Sequence, residues 1–232
     1  MSADNDNTVI ANKRARIDAT HRFQAGRTAL LLIDMQTGFL HPEAALAVPP
    51  AWDIVPTLQR VLAFFRQRQM PVIFTAFVAD PRIPTLRVDP FGIEHLPPIA
   101  GQPTGFGHPS GNCQRDAVGP ESPEIIPELA PLPSEPVIQG YSLDKFYGAP
   151  LDQVLRARDI RCLLMGGVMT DLCVLATLFS ATTREYRVTL LEDGVATLWP
   201  DIQKATLDIV ARKLGRVLSA RAALAELDTL AS

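Results

Sequence analysis

Six short, mainly apolar runs punctuate the chain. They fall at 29–33, Val72–Phe77, 137–138, 162–165, 188–191 and 217–218. Runs this short, bounded by polar or turn residues, predict strands buried on both faces. The segments between them carry a different period. Over 52–69, apolar residues recur at Ile54, Val55, Leu58, Val61, Leu62 and Phe65, which is helical spacing closed by Pro71. Further helices are predicted at 151–157, 172–186, 200–213 and 220–230. Pro200 suits the first position of the third of these, and Ser219 suits the N-cap of the last.

Strand alternating with helix predicts an α/β fold, a three-layer α/β/α sandwich around a doubly wound, mainly parallel six-stranded sheet. With strand order 3-2-1-4-5-6, strands one and four meet at the switch point, and ligands bind beyond the carboxyl ends there. Asp34 ends strand one and Cys173 follows strand four, so this topology predicts that the two meet.

Two regions break the pattern. Residues 1–25 show little core periodicity and are expected to form an arm or tail beside a single domain at 26–232. A Pro-rich insertion at about 79–136 holds 13 of the 20 prolines, counted from Pro81 to Pro136, with glycines at 101, 105, 107 and 111. It is expected to be mostly loop, with a short helical turn near 123–129, shaping a site or an interface.

Composition narrows the function classes. The formal net charge is −3, with no basic footprint for nucleic acid. No apolar stretch is long enough to span a bilayer, and residues 1–7 lack a signal-peptide pattern. Three cysteines, Cys113, Cys162 and Cys173, are an odd number without metal-type spacing, which predicts a reducing cytoplasmic setting. Cys173 opens a predicted helix, where unpaired N–H groups and the helix dipole favour a thiolate. A small buried apolar residue is the competing reading of that thiol. Asp34, after Leu30-Leu31-Leu32-Ile33, is costly to bury without a use, although a loop hydrogen bond would also account for it. Facing a thiol, it can take a proton and return it to a leaving amine.

Asp34-Met35-Gln36-Thr37-Gly38-Phe39 and Gly167-Val168-Met169-Thr170-Asp171-Leu172-Cys173-Val174 resemble two motifs of the isochorismatase-like cysteine hydrolases. Phe146 to Leu151 and Asp193 match further positions. The family includes nicotinamidases, N-carbamoylsarcosine amidases, ureidoacrylate amidohydrolases and biuret hydrolases. The resemblance implies an Asp, Lys and Cys triad. It also implies a cis peptide between Val168 and Met169, whose N–H joins that of Cys173 in an oxyanion hole. It further implies a homo-oligomer, a dimer or tetramer, acting on a small amide or ureido compound without a cofactor. The family's usual lysine falls on Gly140. Lys145, the sole lysine between Lys13 and Lys204, either replaces it or is a surface or salt-bridge residue. Gly140 therefore leaves a non-catalytic binding role open, and isochorismatase-type vinyl-ether hydrolysis is a third possibility.

Gln36, Phe39, Tyr141, Phe146 and Tyr147 are candidates for substrate binding, with Trp199 as a further pocket wall. Thr170 and Asp171 are expected to cap the nucleophile helix. No metal is expected, because His41, His95 and His108 do not form the cluster nicotinamidases use. Arg82, Arg87 and Arg115 are candidates for holding a substrate carboxylate.

Overall fold

The computed structural model describes residues 3–80 and 113–230, with side chains from residue 8. Arg82, Arg87, His95 and His108 lie outside the described residues, as does the middle of the Pro-rich insertion. The elements are α1 (Ala3–Thr20), β1 (Thr28–Ile33), α2 (Thr37–Leu40), α3 (Ala51–Gln67), β2 (Val72–Phe77), β3 (Val137–Gly140), α4 (Leu151–Ala157), β4 (Cys162–Val168), α5 (Leu175–Thr183), β5 (Arg187–Ala196), α6 (Pro200–Lys213), β6 (Arg216–Leu218) and α7 (Ala220–Thr229). Short 3-10 turns occur at Gly119–Glu121 and Pro127–Leu129, the second inside the predicted helical turn.

All five strand pairings are parallel, in the order β3-β2-β1-β4-β5-β6. β1, β2 and β4 are buried along their whole length, as their mainly apolar sequences require. Alternate residues serve opposite layers. Leu30, Leu32, Phe74 and Leu164 pack with α3 and α7. Ala29, Leu31, Ile33, Ile73, Leu163 and Met165 pack on the other face with α4, α5 and α6. Pro200 opens α6, and the Ser219 hydroxyl accepts from Ala222 N at 3.3 Å, as anticipated.

Several boundaries differ from the sequence reading. β4 runs on through Gly166, Gly167 and Val168, and β5 runs to Ala196. Their register shifts between Met165 and Gly167, so an irregularity absorbs residues that a period-two pattern would exclude. The predicted helix at 172–186 divides into a π-helical turn, Thr170–Val174, and α5. The segment expected as an arm forms α1, which lies along α6. Arg14 pairs with Asp208 at 2.9 Å, and buried Arg216 joins Asp18 of α1 to Glu226 of α7. Among the described residues, no helix is long and apolar enough to cross a membrane.

Candidate active site

The site lies where β1 and β4 run side by side, with Ile33 opposite Gly167. Immediately after this pair, both chains turn sharply. Asp34 adopts a left-handed backbone, φ 53°, a region that non-glycine residues seldom occupy. Its N–H donates to Thr75 O at 3.2 Å, and its carbonyl accepts from Gln36 N at 2.8 Å. On β4, Gly167 has φ 122°, and a Cβ there would meet Ile33 O at 2.0 Å. Only glycine lets the two strand ends approach this closely. A cis peptide joins Val168 to Met169. The π turn follows, closed by a Val174 N–H donating to Met169 O at 3.2 Å, and it carries Cys173. Such turns recur at functional sites.

Asp34 is fully buried. Its Oδ1 accepts from the Thr75 hydroxyl at 2.8 Å. Its Oδ2 lies 2.7 Å from Lys145 Nζ, an ion pair of two buried groups. That contact lacks the alignment of a hydrogen bond, so Oδ2 has no directed donor. The ammonium donates to Ser142 O at 2.9 Å and sits 5.2 Å from the Phe77 ring centre. Lys145 is placed by its own loop: its N–H donates to Thr177 Oγ1 of α5 at 3.1 Å, and Asp144 beside it accepts from Ser180 of the same helix. Gly140 occupies the carboxyl end of β3, opposite Phe77, and Lys145 reaches the site from the loop that follows.

Burial depresses the Lys145 pKa, but the Asp34 carboxylate and the Cys173 thiol outweigh that, so the ammonium is held above its ordinary range. Cys173 runs opposite to the expectation of a thiolate at rest. It is 7% exposed, and its pKa is raised: burial is the main cause, Lys145 works against it, and the Asp34 charge and hydrogen bond add to it. Unpaired N–H groups and the helix dipole favour a thiolate there, but burial opposes them and is the larger effect. Burial therefore favours the thiol form of Cys173 at rest. Cys113, also buried, is raised by burial first and then by the Asp34 charge.

Several expected roles change. Gln36 is committed to structure. Its Nε2 donates to Phe77 O at 2.9 Å and Pro123 O at 2.7 Å, and its Oε1 accepts from Phe77 N at 2.7 Å. That clamp leaves no group for a substrate. Phe146 stacks on Tyr186 at 5.8 Å with Arg184 over its ring, a packing role. Tyr147 is 63% exposed and Trp199 is half exposed. Phe39 and Tyr141 flank Phe77, with centroids at 6.3 and 5.2 Å, which brings them to the lysine side of the site. Arg115 is paired with Asp80 and donates to Gln139 at 3.1 Å. Asp193 Oδ1 accepts from Ala220 N at 2.7 Å, at the start of α7. Thr170 and Asp171 do not cap the helix that carries Cys173: Met169 holds the N-cap position without a side-chain bond, and Thr170 Oγ1 and Asp171 Oδ1 are buried without partners. Two residues at the site escaped the sequence reading, Thr75 and Phe77. A lone hydroxyl within the apolar run Val72–Phe77 was the available signal.

Residues 28–222 match the Isochorismatase domain family. A ureidoacrylate amidohydrolase from Pseudomonas savastanoi pv. phaseolicola is 28% identical over 192 residues, covering 80% of this chain and 78% of that protein. The enzyme of the same name from Caulobacter segnis is 29% identical, covering 78% and 77%. Among solved structures, the N-carbamoylsarcosine amidase from Thermoplasma acidophilum superposes with a TM-score of 0.64 at 26% identity, covering 84% of this chain and 96% of that one. A cysteine hydrolase from Pseudomonas syringae pv. phaseolicola reaches 0.72 at 24% identity, covering 90% and 95%. The sheet order, the paired strand ends and a match spanning most of the sequence agree: the chain belongs to the isochorismatase family.

Proposed function

We propose that the chain is an amidohydrolase that cleaves a small amide or ureido compound, with Cys173 as nucleophile. One observation carries the reading: a buried carboxylate, ammonium and thiol, Asp34, Lys145 and Cys173, meet beyond the carboxyl ends of β1 and β4. The names of its relatives, ureidoacrylate amidohydrolase and N-carbamoylsarcosine amidase, support the ureido class. The absence of lysine at 140 motivated a non-catalytic role; the ion pair of Lys145 with Asp34 supports the catalytic reading instead.

In the proposed cycle the Cys173 proton passes to Asp34 as the sulfur attacks the carbonyl carbon. Lys145 offsets the negative charge of the thiolate and the carboxylate. The N–H groups of Met169 and Cys173 hold the oxyanion. Asp34 then protonates the departing nitrogen, the C–N bond breaks, and a thioester remains. Water, deprotonated by Asp34, attacks the thioester, and the released sulfur recovers its proton. The scheme consumes one water and needs no cofactor.

The test is ammonia release from ureidoacrylate, N-carbamoylsarcosine and simple primary amides. Wild-type protein is expected to hydrolyse one of these classes, and Cys173→Ala to be inactive on it. Hydrolysis by Cys173→Ala at the wild-type rate overturns the proposal. Full activity of that variant on a vinyl ether instead supports the isochorismatase-type reaction.

A further inference from the structure

Asp34 has two carboxylate oxygens in different surroundings. Oδ2 faces Lys145 and has no aligned donor, whereas Oδ1 accepts from Thr75 Oγ1 at 2.8 Å. Thr75 is fully buried on β2, opposite Ile33 of β1. It grips Asp34 twice, through its carbonyl to the Asp34 N–H and through its hydroxyl to the carboxylate. A hydroxyl donating to Oδ1 stops the carboxyl group from rotating and favours its charged form. Hydrocarbon at 75 would leave Oδ1 buried without a donor, and a protonated carboxyl group would suit that site better.

We propose that Thr75 is a positioning residue: by donating to Oδ1 it fixes the Asp34 carboxyl group and holds it as a carboxylate able to take the Cys173 proton. This rests on the acid–base role of Asp34 in the proposed function. Thr75 touches no reacting atom and acts through Asp34. Its hydroxyl is the operative part, so serine serves in its place and valine, of the same shape, does not.

The experiment follows alkylation of Cys173 by iodoacetamide in the full chain, read by mass spectrometry of the Cys173 peptide across the acidic and neutral pH range. This needs no knowledge of the substrate. Each variant is scaled to its own plateau, which separates a shifted acidic limb from a general loss of reactivity. At the pH where the wild type is half-maximal, Thr75→Val should fall to about a tenth of its plateau, because an unsupported carboxylate is protonated more easily. Thr75→Ser should remain near half. If Thr75→Val does not fold, Thr75→Ala is read against Thr75→Ser, since those two lack the same methyl group and differ only in the hydroxyl. Acidic limbs of Thr75→Val and Thr75→Ala that coincide with the wild type, or a Thr75→Ser limb displaced as far as that of Thr75→Ala, overturn the proposal. Asp34→Asn is measured beside them. If it retains the wild-type limb, the base role of Asp34 is lost and Thr75 with it. If it loses the limb while Thr75→Val keeps it, Thr75 alone is excluded.

Discussion

Replacing Lys145 with methionine keeps most of the side-chain volume and removes the ammonium, and with it both the ion pair to Asp34 and the hydrogen bond to Ser142 O. The two charges lie 2.7 Å apart and neither side chain is more than 2% exposed, so solvent screening is slight. At an effective dielectric constant of about 20, their gross attraction is roughly 6 kcal/mol. Desolvation of both groups opposes it, and removing one partner of such a pair costs about 3–5 kcal/mol because the other charge is stranded. For a chain of this length that corresponds to a fall in Tm of about 10 °C. Thermal unfolding of the wild type, Lys145→Met, Asp34→Asn and the double variant completes a mutant cycle. The double variant should be more stable than the summed losses by about 2 kcal/mol or more, since it strands nothing. Hydrolysis by Lys145→Met should drop at least about 100-fold, because the one cation among the described residues that favours the Cys173 thiolate is gone. A Tm within about 2 °C of wild type, or strict additivity across the cycle, would refute a buried functional pair.

Gln36→Leu should lower stability by about 2–3 kcal/mol in urea unfolding while leaving the KM of the residual activity unchanged, because its amide binds Phe77 and Pro123 and not substrate; a KM that rises with no loss of stability would restore it as a substrate ligand. Gly167→Ala should yield little soluble protein, since its Cβ would sit 2.0 Å from Ile33 O, and a variant as stable as wild type would contradict the close strand approach. Stability should hold up to about pH 9 and then decline. The unfolded thiols ionise near 9.0, whereas Cys113 and Cys173 stay protonated when buried, and the raised Lys145 contributes fully below 10.5 and is lost as pH climbs through its folded value. Urea titrations of the wild type and Cys113→Ala at neutral and alkaline pH should show a shallower alkaline loss in the variant.

The strand order and the meeting of Asp34 with Cys173 were legible because they depend on short apolar runs and on parallel-sheet topology, which the sequence displays directly. The extension of β4 through Gly166 and Gly167 was not, since glycines normally end a strand, and here their lack of side chains admits Ile33 and Leu58. The upward push of burial on the Cys173 thiol was not legible for a related reason: a helix start is visible in sequence, but depth of burial is set by the layers packed above it. Lys145 could be nominated but not placed, because its reach depends on a loop pinned to α5 through Thr177 and Ser180. Gln36 showed only a polar residue at a strand end; its commitment to Phe77 and Pro123 is a tertiary fact. Thr75 was hidden in plain view, since a threonine suits any strand by propensity and its meaning lies in the neighbour across the sheet.

The central claim is a covalent bond between Cys173 sulfur and the acyl carbon of the substrate. Rapid quenching of the enzyme during turnover of a ureido or amide substrate, followed by mass spectrometry of the Cys173 peptide, tests it most directly. A mass increase equal to the acyl fragment, confined to that peptide and lost in Cys173→Ala, is the predicted result. Steady turnover with every cysteine peptide unmodified, matched by equal turnover in Cys173→Ala, would contradict it.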